Sequence, residues 1–485
     1  MEITFSEEQL QRLFGHEAAE DEDPARLREY YFKTATYGEV TADLPLRILV
    51  GHKGIGKSAL FKVALQEDCE KGIVTALIKP DDVAELATDT SDFLLTIREW
   101  KAGLRQIIAK KVLSDLGLKE DSWGAKLKQY GGTLFSFLDE TFRSLSKGTT
   151  QPAIKAIVDG YLRKNRIAVY IDDLDRGWQG RKQDNARISA LLNAVRDLSA
   201  ESRGLIFRIS LRSDVYYLVR TSDESTDKIE GSVIWHSWTN HEIFVLLVKR
   251  IESFFGRAVD EQKLLATIQP GLARYLSPIM EQRFQGQGLW ENAPIYRVLM
   301  SLIRKRPRDL VKLCTLSGRA ARKERSQIIG TKHFQSIFEE YSQGRLQDTV
   351  NEFRSELPSI EKLLLSMKPS RKERTAAEGY VYTTDALLKK INTIREQGQF
   401  NFATGEVGDS QRLAAFMYKI NFLTARKAIA SSNVVVRKYF EENRYLSNKF
   451  VDFGFDWEVH PAYRWALQPD NLQTIFASLG LTADD

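Results

Sequence analysis

Apolar residues in this chain gather in short runs separated by longer stretches of helical period. Leu46 to Val50, Ile73 to Ile78, Ile167 to Ile171, Leu205 to Leu211 and Ser232 to Trp235 are such runs. Their brevity and near lack of polar alternation predict buried strands. The intervening stretches predict helices at Lys57 to Leu65, Ser91 to Leu116, Ala153 to Lys164 and Ala186 to Leu198. In the second, Phe93, Leu94, Ile97, Trp100, Leu104, Ile107 and Ile108 recur on an apolar face that leads into an insertion ending near Gln151. Thr239-Asn240-His241-Glu242 is a capping box opening a helix over Ile243 to Phe255. A threonine hydroxyl and a glutamate three residues later can satisfy each other's free backbone N–H groups there. Strands alternating with helices place the chain in the α/β class.

The two ends read differently. Residues 1–45 combine an amphipathic start (Phe5, Leu10, Leu13, Phe14), an acidic patch from Glu17 to Asp23, and the aromatics Tyr30, Tyr31, Phe32 and Tyr37. This lead-in is expected to pack on the adjoining domain, its aromatics serving as core or flanking an adenine. From about Asp260 to Gln343 the pattern is helical throughout. Beyond about 345 it changes, with a turn-rich linker at Pro369 to Thr375 and short helices at Asp385 to Arg395 and Ser410 to Ile420. Strand-like Val434 to Val436 and Phe450 to Val459 come next, the order of a winged helix. Arg437-Lys438 or Asn448-Lys449 could meet phosphate, whereas Glu441, Glu442, Asp452, Asp456 and Glu458 oppose a strong DNA footprint. Trp457, His460, Pro461, Tyr463 and Trp465 read as core.

Composition narrows the classes. At 485 residues the chain can bury about two to three cores. Its net charge of +5 is small for that size, so a nucleic-acid surface would have to come from local clustering. The two cysteines, Cys69 and Cys314, lack disulfide-framework or zinc spacing, which fits a reducing cytoplasm. The acidic start is unlike a signal peptide and no apolar run approaches about 20 residues, so a soluble protein with no membrane partner is expected. None of the six histidines falls in a metal-binding or catalytic cluster, and His241 is a first-turn helix residue.

The chemistry centres on Gly51-His52-Lys53-Gly54-Ile55-Gly56-Lys57-Ser58, a G-x-x-x-x-G-K-S loop between a strand and a helix. Residues Gly51 to Ala59 are the nucleotide-binding candidates. Glycines let backbone N–H groups wrap a phosphate, Lys57 supplies a charge to the β- and γ-phosphates, and the Ser58 hydroxyl suits Mg2+. The run Ile167 to Ile171 ends in Asp172-Asp173-Leu174-Asp175-Arg176. A carboxylate at a strand end beside the loop can hold Mg2+, the role expected of Asp172, and the next, Asp173, can orient the attacking water. Asp175 and Arg176 could form a local ion pair, or Arg176 could act across a subunit interface. Leu316-Ser317-Gly318-Arg319 resembles an ABC signature, but it lacks the second glycine and glutamine and comes after the acidic strand instead of before it.

The ordered set GHKGIGKS, IDDLDRGW, RISLRSD and RKRPRDL resembles the STAND and KAP branches of P-loop ATPases, with kinship to origin-recognition-type AAA+ proteins. Over about residues 30 to 345 the resemblance implies a P-loop NTPase sheet in the order 5-1-4-3-2, a helical lid and nucleotide-dependent assembly. A winged-helix-like α+β domain would then end the chain. By position, Lys57 and Ser58 match Walker A, Asp172 and Asp173 match Walker B, Arg212 the first sensor, with a plain ion pair as its alternative, and Arg308 the second. The expected division is 1–45 lead-in, 46–258 ATPase core with an insertion at about 90–150, 259–368 lid and 369–485 C-terminal domain. The chain lacks the membrane inserts typical of KAP proteins and the repeat arrays typical of STAND proteins.

These features lead to an ATP- and Mg2+-dependent hydrolytic switch that forms a homo-oligomer and controls a separately encoded effector, with anti-phage defence as an analogy. A DNA-engaged ATPase using the basic segment Arg304 to Lys323 is the rival. A nucleotide-binding scaffold without turnover is a third reading. An arginine finger could come from Arg176, Arg181 or Arg220.

Overall fold

The computed structural model describes residues 2–115, 162, 165–174, 176–178, 180–222, 224–370, 373, 379–429, 434–446, 454–468, 475, 476 and 479–485. Most of the expected insertion, most of the helix at Ala153 to Lys164, most of the linker after Ser370, Asp175 and Asn448-Lys449 lie outside these residues. The chain forms two compact units.

The unit of Lys33–Lys53 and Lys57–His236 is built on a five-stranded sheet. Its strands are β1 (Leu46–Val50), β2 (Val74–Ile78), β3 (Ile167–Ile171), β4 (Leu205–Leu211) and β5 (Val233–Trp235). The order β2-β3-β4-β1-β5 is the expected 5-1-4-3-2 seen from the other edge, and every pairing is parallel. β3 and β4 are buried at every position, which is why their sequences show almost no alternation. Arg208 is the charged exception within β4; its guanidinium donates to the carbonyls of Leu44 at 2.9 Å and Ala42 at 2.7 Å, so a buried cation is met by backbone. Register places Val50 opposite Leu211 and Ile171 opposite Ile209, so β1, β3 and β4 all end at the same edge.

The helix Phe93–Asp115 starts after Asp92, whose carboxylate accepts from the N–H groups of Leu94 and Leu95. That capping geometry corrects one expectation: Leu94 is 77% exposed, and the buried stripe runs through Trp100, Leu104, Ile108 and Val112 at four-residue spacing. Trp100 donates its indole N–H to the Arg187 carbonyl at 3.1 Å, and the Arg187 guanidinium stacks 5.4 Å from the Trp100 ring. This locks the helix against Lys182–Glu201.

The unit of Met1–Phe32, Gly54–Gly56 and Ser237–Asp485 is mainly helical. The expected capping box is present, with Thr239 accepting from Glu242 N–H and Glu242 accepting from Thr239 N–H, and it opens the helix Asn240–Phe254. The ABC-like Gly318 lies in the helix Pro307–Lys323, where a Cβ would sit 2.4 Å from Leu10 Cδ2. It is a packing glycine for the N-terminal helix Glu7–Phe14.

The stretch from 260 to 343 is not helical throughout. A two-stranded hairpin, β6 (Arg283–Phe284) and β7 (Ala293–Pro294), interrupts it around a 3-10 turn, Gly288–Trp290. Trp290 is fully buried against Phe284 and Phe338, so tertiary packing of one indole overrides the helical period. The pattern also does not change at 345, because the helix Thr331–Phe353 continues through it.

The C-terminal part has the winged-helix order. β8 (Val381–Tyr382) is followed by helices Thr384–Glu396 and Ser410–Lys419, then β9 (Leu423–Ala428), β10 (Val434–Lys438), β11 (Asp456–Val459) and β12 (Leu481–Thr482). β8, β11 and β9 form the antiparallel sheet, extended by β10 and then β12. Phe450 to Phe453 lie outside the described residues, and β11 begins at Asp456. Trp457, His460, Pro461, Tyr463 and Trp465 are buried. Arg437, read as a possible phosphate contact, is buried in β10 with its guanidinium on Glu458 at 2.8 Å, because β10 turns that side chain inward. Glu458 also takes the Arg464 guanidinium.

Buried charge recurs in the segment before Pro307. Asp309 receives Arg304 Nε at 2.7 Å and Arg345 Nη1 at 2.7 Å. Burial opposes its ionisation, but the two guanidinia win and hold its carboxyl far below the usual range. Asp309→Ala would strand two buried cations and is expected to cost about 3–5 kcal/mol, read as a lowered urea midpoint. An unchanged midpoint would refute that accounting.

His460 accepts the Ala462 N–H at Nδ1 (3.1 Å), which leaves the neutral Nε2–H tautomer to donate to the Tyr439 hydroxyl at 3.0 Å. Burial, then Arg437 and Arg304, against the opposing pull of Asp309, drive its pKa well below the ordinary value. The unfolded chain takes up this proton near pH 6.5 and the folded chain does not. Stability is therefore unaffected by this group above that pH and falls by up to about 1.4 kcal/mol per pH unit below it. Urea midpoints from about pH 7.5 to 5.5 are expected to fall less steeply in His460→Gln; equal slopes would count against a neutral His460.

Candidate functional site

Parallel strands bring their carboxyl ends to one edge, and the residues after β1, β3 and β4 therefore gather there. After β1, the chain turns through Gly51 to Gly56 into the helix Lys57–Glu70. Gly54 and Gly56 have φ of 80° and 103°, a region open to glycine and costly to other residues. The Lys57 ammonium donates to the carbonyls of Gly51 at 2.8 Å and His52 at 3.1 Å, folding back along the loop. Ser58 and Ala59 sit in the first helical turn, where backbone N–H groups lack intrahelical partners. His52 is buried, with Nδ1 3.1 Å from the Ser213 hydroxyl. Lys53 is exposed.

After β3, Asp172 and Asp173 form a tight turn. Asp172 anchors its N–H on the Ile78 carbonyl of β2 at 3.1 Å. Asp173 has φ of 60°, unusual for a residue with a side chain, and its N–H turns back onto Asp172 Oδ1 at 3.0 Å. Asp172 Oδ1 also accepts the Ser210 hydroxyl of β4. The Asp173 carboxylate is exposed and 3.9 Å from Arg176 Nε, a weak ion pair at that distance and exposure, formed with Asp173 and not with the Asp175 expected from sequence, which lies outside the described residues.

After β4, Arg212 makes a two-pronged ion pair with Asp214, Nη2 at 2.6 Å and Nε at 3.1 Å. Its plain ion-pair reading is thus realised in this structure. Arg220 pairs with Glu230 at 2.7 Å.

In the other unit, Gly54, Ile55 and Gly56 are held through their backbone and Arg308. The Arg308 N–H lies 3.4 Å from the Gly54 carbonyl, a Cβ on Gly54 would sit 3.1 Å from Arg308 Cβ, and Trp238 donates its indole N–H to the Ile55 carbonyl at 2.8 Å. Arg308 Nε donates to the Glu17 carbonyl at 2.9 Å.

Sequence reasoning missed Ser210, Ser213 and Trp238. RISLRSD carries two serines on either side of the arginine, and the arginine drew attention because its charge suggests phosphate; a hydroxyl shows its importance only once its partner is known. Among the described residues there is no group of three or more His, Cys, Asp or Glu placed to hold a metal, and no helix is long and apolar enough to cross a membrane.

No family model matches the chain. It is 23% identical to the "Putative transposon gamma-delta 80.3 kDa protein" of Escherichia coli (strain K12), over 95% of this chain and 69% of that protein. Among solved structures it is similar to a Walker-type ATPase of Pyrococcus abyssi, at 13% identity and a TM-score of 0.42, covering 89% of this chain and 93% of that one. It is also similar to the ORC1 protein of Aeropyrum pernix in complex with DNA, at 13% identity and a TM-score of 0.33, covering 96% and 92%. These likenesses are distant, so the fold rests on the sheet order and the reading of the site on its own geometry.

Asp173 yields a separable prediction. Asp173→Gly removes the cost of the left-handed backbone, about 1 kcal/mol, and is expected to raise the melting temperature, while Asp173→Ala lowers it. A lower melting temperature for the glycine variant would show that the turn is not strained.

Proposed function

We propose that the chain binds ATP with Mg2+ and hydrolyses it slowly, as a self-assembling switch that controls a separately encoded partner protein. The observation that supports this best is the shared edge, where a glycine-shaped loop with Lys57 and Ser58 and a turn carrying Asp172 and Asp173 extend from strands separated only by β4. In this reading residues Gly51 to Ala59 cradle the phosphates, with Arg308 as a further nucleotide contact. Ser58 and Asp172 would hold Mg2+. One hydroxyl and one carboxylate fit that ion, which takes its remaining ligands from phosphate and water. Bound Mg2+ would neutralise charge on the transferring phosphate. Lys57 adds its charge to the phosphates, Asp173 orients water, and Arg212 is available to the phosphate only on leaving Asp214. The division at 46–258, 259–368 and 369–485 belongs to the same proposal.

The structure gives the DNA-engaged rival little support. In the basic segment Arg304 and Arg306 are buried, Lys305 is bound to Glu442, Lys312 to Glu17, and Arg319 and Arg322 to Glu7. The second winged helix, Ser410–Lys419, is buried over most of its length, and its exposed Arg412 faces Glu406 and Asp409. Such a module fits protein contact better than phosphate tracking. The resemblance to a transposon-named protein keeps the rival in the test.

Light scattering and ATPase assays would check the proposal. Wild type is expected to gain mass with ATP and Mg2+ without DNA; Lys57→Ala loses nucleotide binding, and Asp173→Asn keeps binding while turnover falls about 100-fold or more. Mass growth that requires duplex DNA and disappears at high salt would favour the DNA-engaged reading. Unchanged function with Asp173→Asn would favour a scaffold without turnover.

A further inference from the structure

The candidate metal carboxylate is held from a direction that the motif does not reveal. Ser210 lies on β4, the strand between β1 and β3, and its side chain is 1% exposed. Its hydroxyl donates to Asp172 Oδ1, which also receives the Asp173 N–H at 3.0 Å. Both bonds fall on the same oxygen, so among the described residues Oδ2 has no protein donor. A carboxylate with one oxygen doubly engaged is fixed in rotamer and presents the other.

We propose that Ser210 is a positioning residue for Mg2+, acting through Asp172 and resting on the ATPase reading above. By occupying Oδ1, the Ser210 hydroxyl and the Asp173 amide together reserve Oδ2 for the cation or one of its waters. Partners behind a ligand set its orientation and basicity, and their loss typically lowers metal affinity about 10–100-fold. The arrangement also accounts for the left-handed Asp173: that backbone turn brings its N–H onto the preceding side chain while its own carboxylate faces solvent. β4 then carries the residue that aligns the site, joined to the β3 carboxylate by Ser210, while Ser213, in the helix that follows β4, contacts His52 of the loop.

The test is equilibrium binding of a fluorescent ATP analogue, titrated with Mg2+ and repeated in excess EDTA, for wild type, Ser210→Ala, Ser210→Thr and the same changes in an Asp172→Asn background. Ser210→Ala is expected to raise the Mg2+ concentration at half-effect about tenfold while leaving binding in EDTA within about twofold of wild type. Ser210→Thr restores the hydroxyl and most of the Mg2+ response. In the Asp172→Asn background, Ser210→Ala adds nothing. Superimposable Mg2+ curves for wild type and Ser210→Ala would overturn the proposal. So would equal losses with and without Mg2+, the signature of a merely structural serine. Should Ser210→Ala fail to fold, Ser210→Thr and Ser210→Cys decide the question, the thiol being a weak donor expected to respond like the alanine. A wild-type chain that binds no nucleotide at all would instead overturn the ATPase reading.

Discussion

Strand direction is the constraint on which this molecule depends. Five strands run the same way, so the segments leaving β1, β3 and β4 must meet at a single edge. Residues separated by more than a hundred positions become neighbours by register. Small local devices then refine the edge. Glycines allow the loop its left-handed turns, Asp173 accepts a costly backbone, the Ser210 hydroxyl ties β4 to Asp172, and Ser213 just beyond β4 meets His52.

The second unit solves a different problem. Its segment around Arg304 and its final strands carry many charges, and several are buried in triads: Asp309 with Arg304 and Arg345, Glu458 with Arg437 and Arg464. Such groups contribute little net stability when complete, yet are costly to break. They fix which surfaces stay inside, and they keep the Arg304, Arg345, Arg437 and Arg464 guanidinia away from solvent.

Much of this was legible in the sequence. The buried strands and the capping box at Thr239 came from patterns that backbone geometry imposes directly, whereas the strand order came from the family resemblance. The loop and the aspartate pair were visible because phosphate chemistry demands particular residue types at fixed spacing. Other features depend on tertiary partners and left no local trace. Leu94 looked apolar-facing until Asp92 set the helix start, and the hairpin around Trp290 broke a stretch whose period was helical. Arg437 looked like a surface cation until its strand was seen to turn it toward Glu458. Ser210 is the clearest case: a serine in an apolar strand carries no signal until the oxygen it serves is known.

The interleaved strand order also governs how the molecule comes into being. β1 pairs with β4 and β5, which lie some 160 to 190 residues later along the chain, so its edges remain open while everything between is being made. Pairings of such long sequence separation form slowly and expose unpaired strand in the interim. During synthesis the loop after β1 leaves the ribosome before β4 and β5, the strands that flank β1. A nascent chain halted before that point would carry the loop without the strands that frame it.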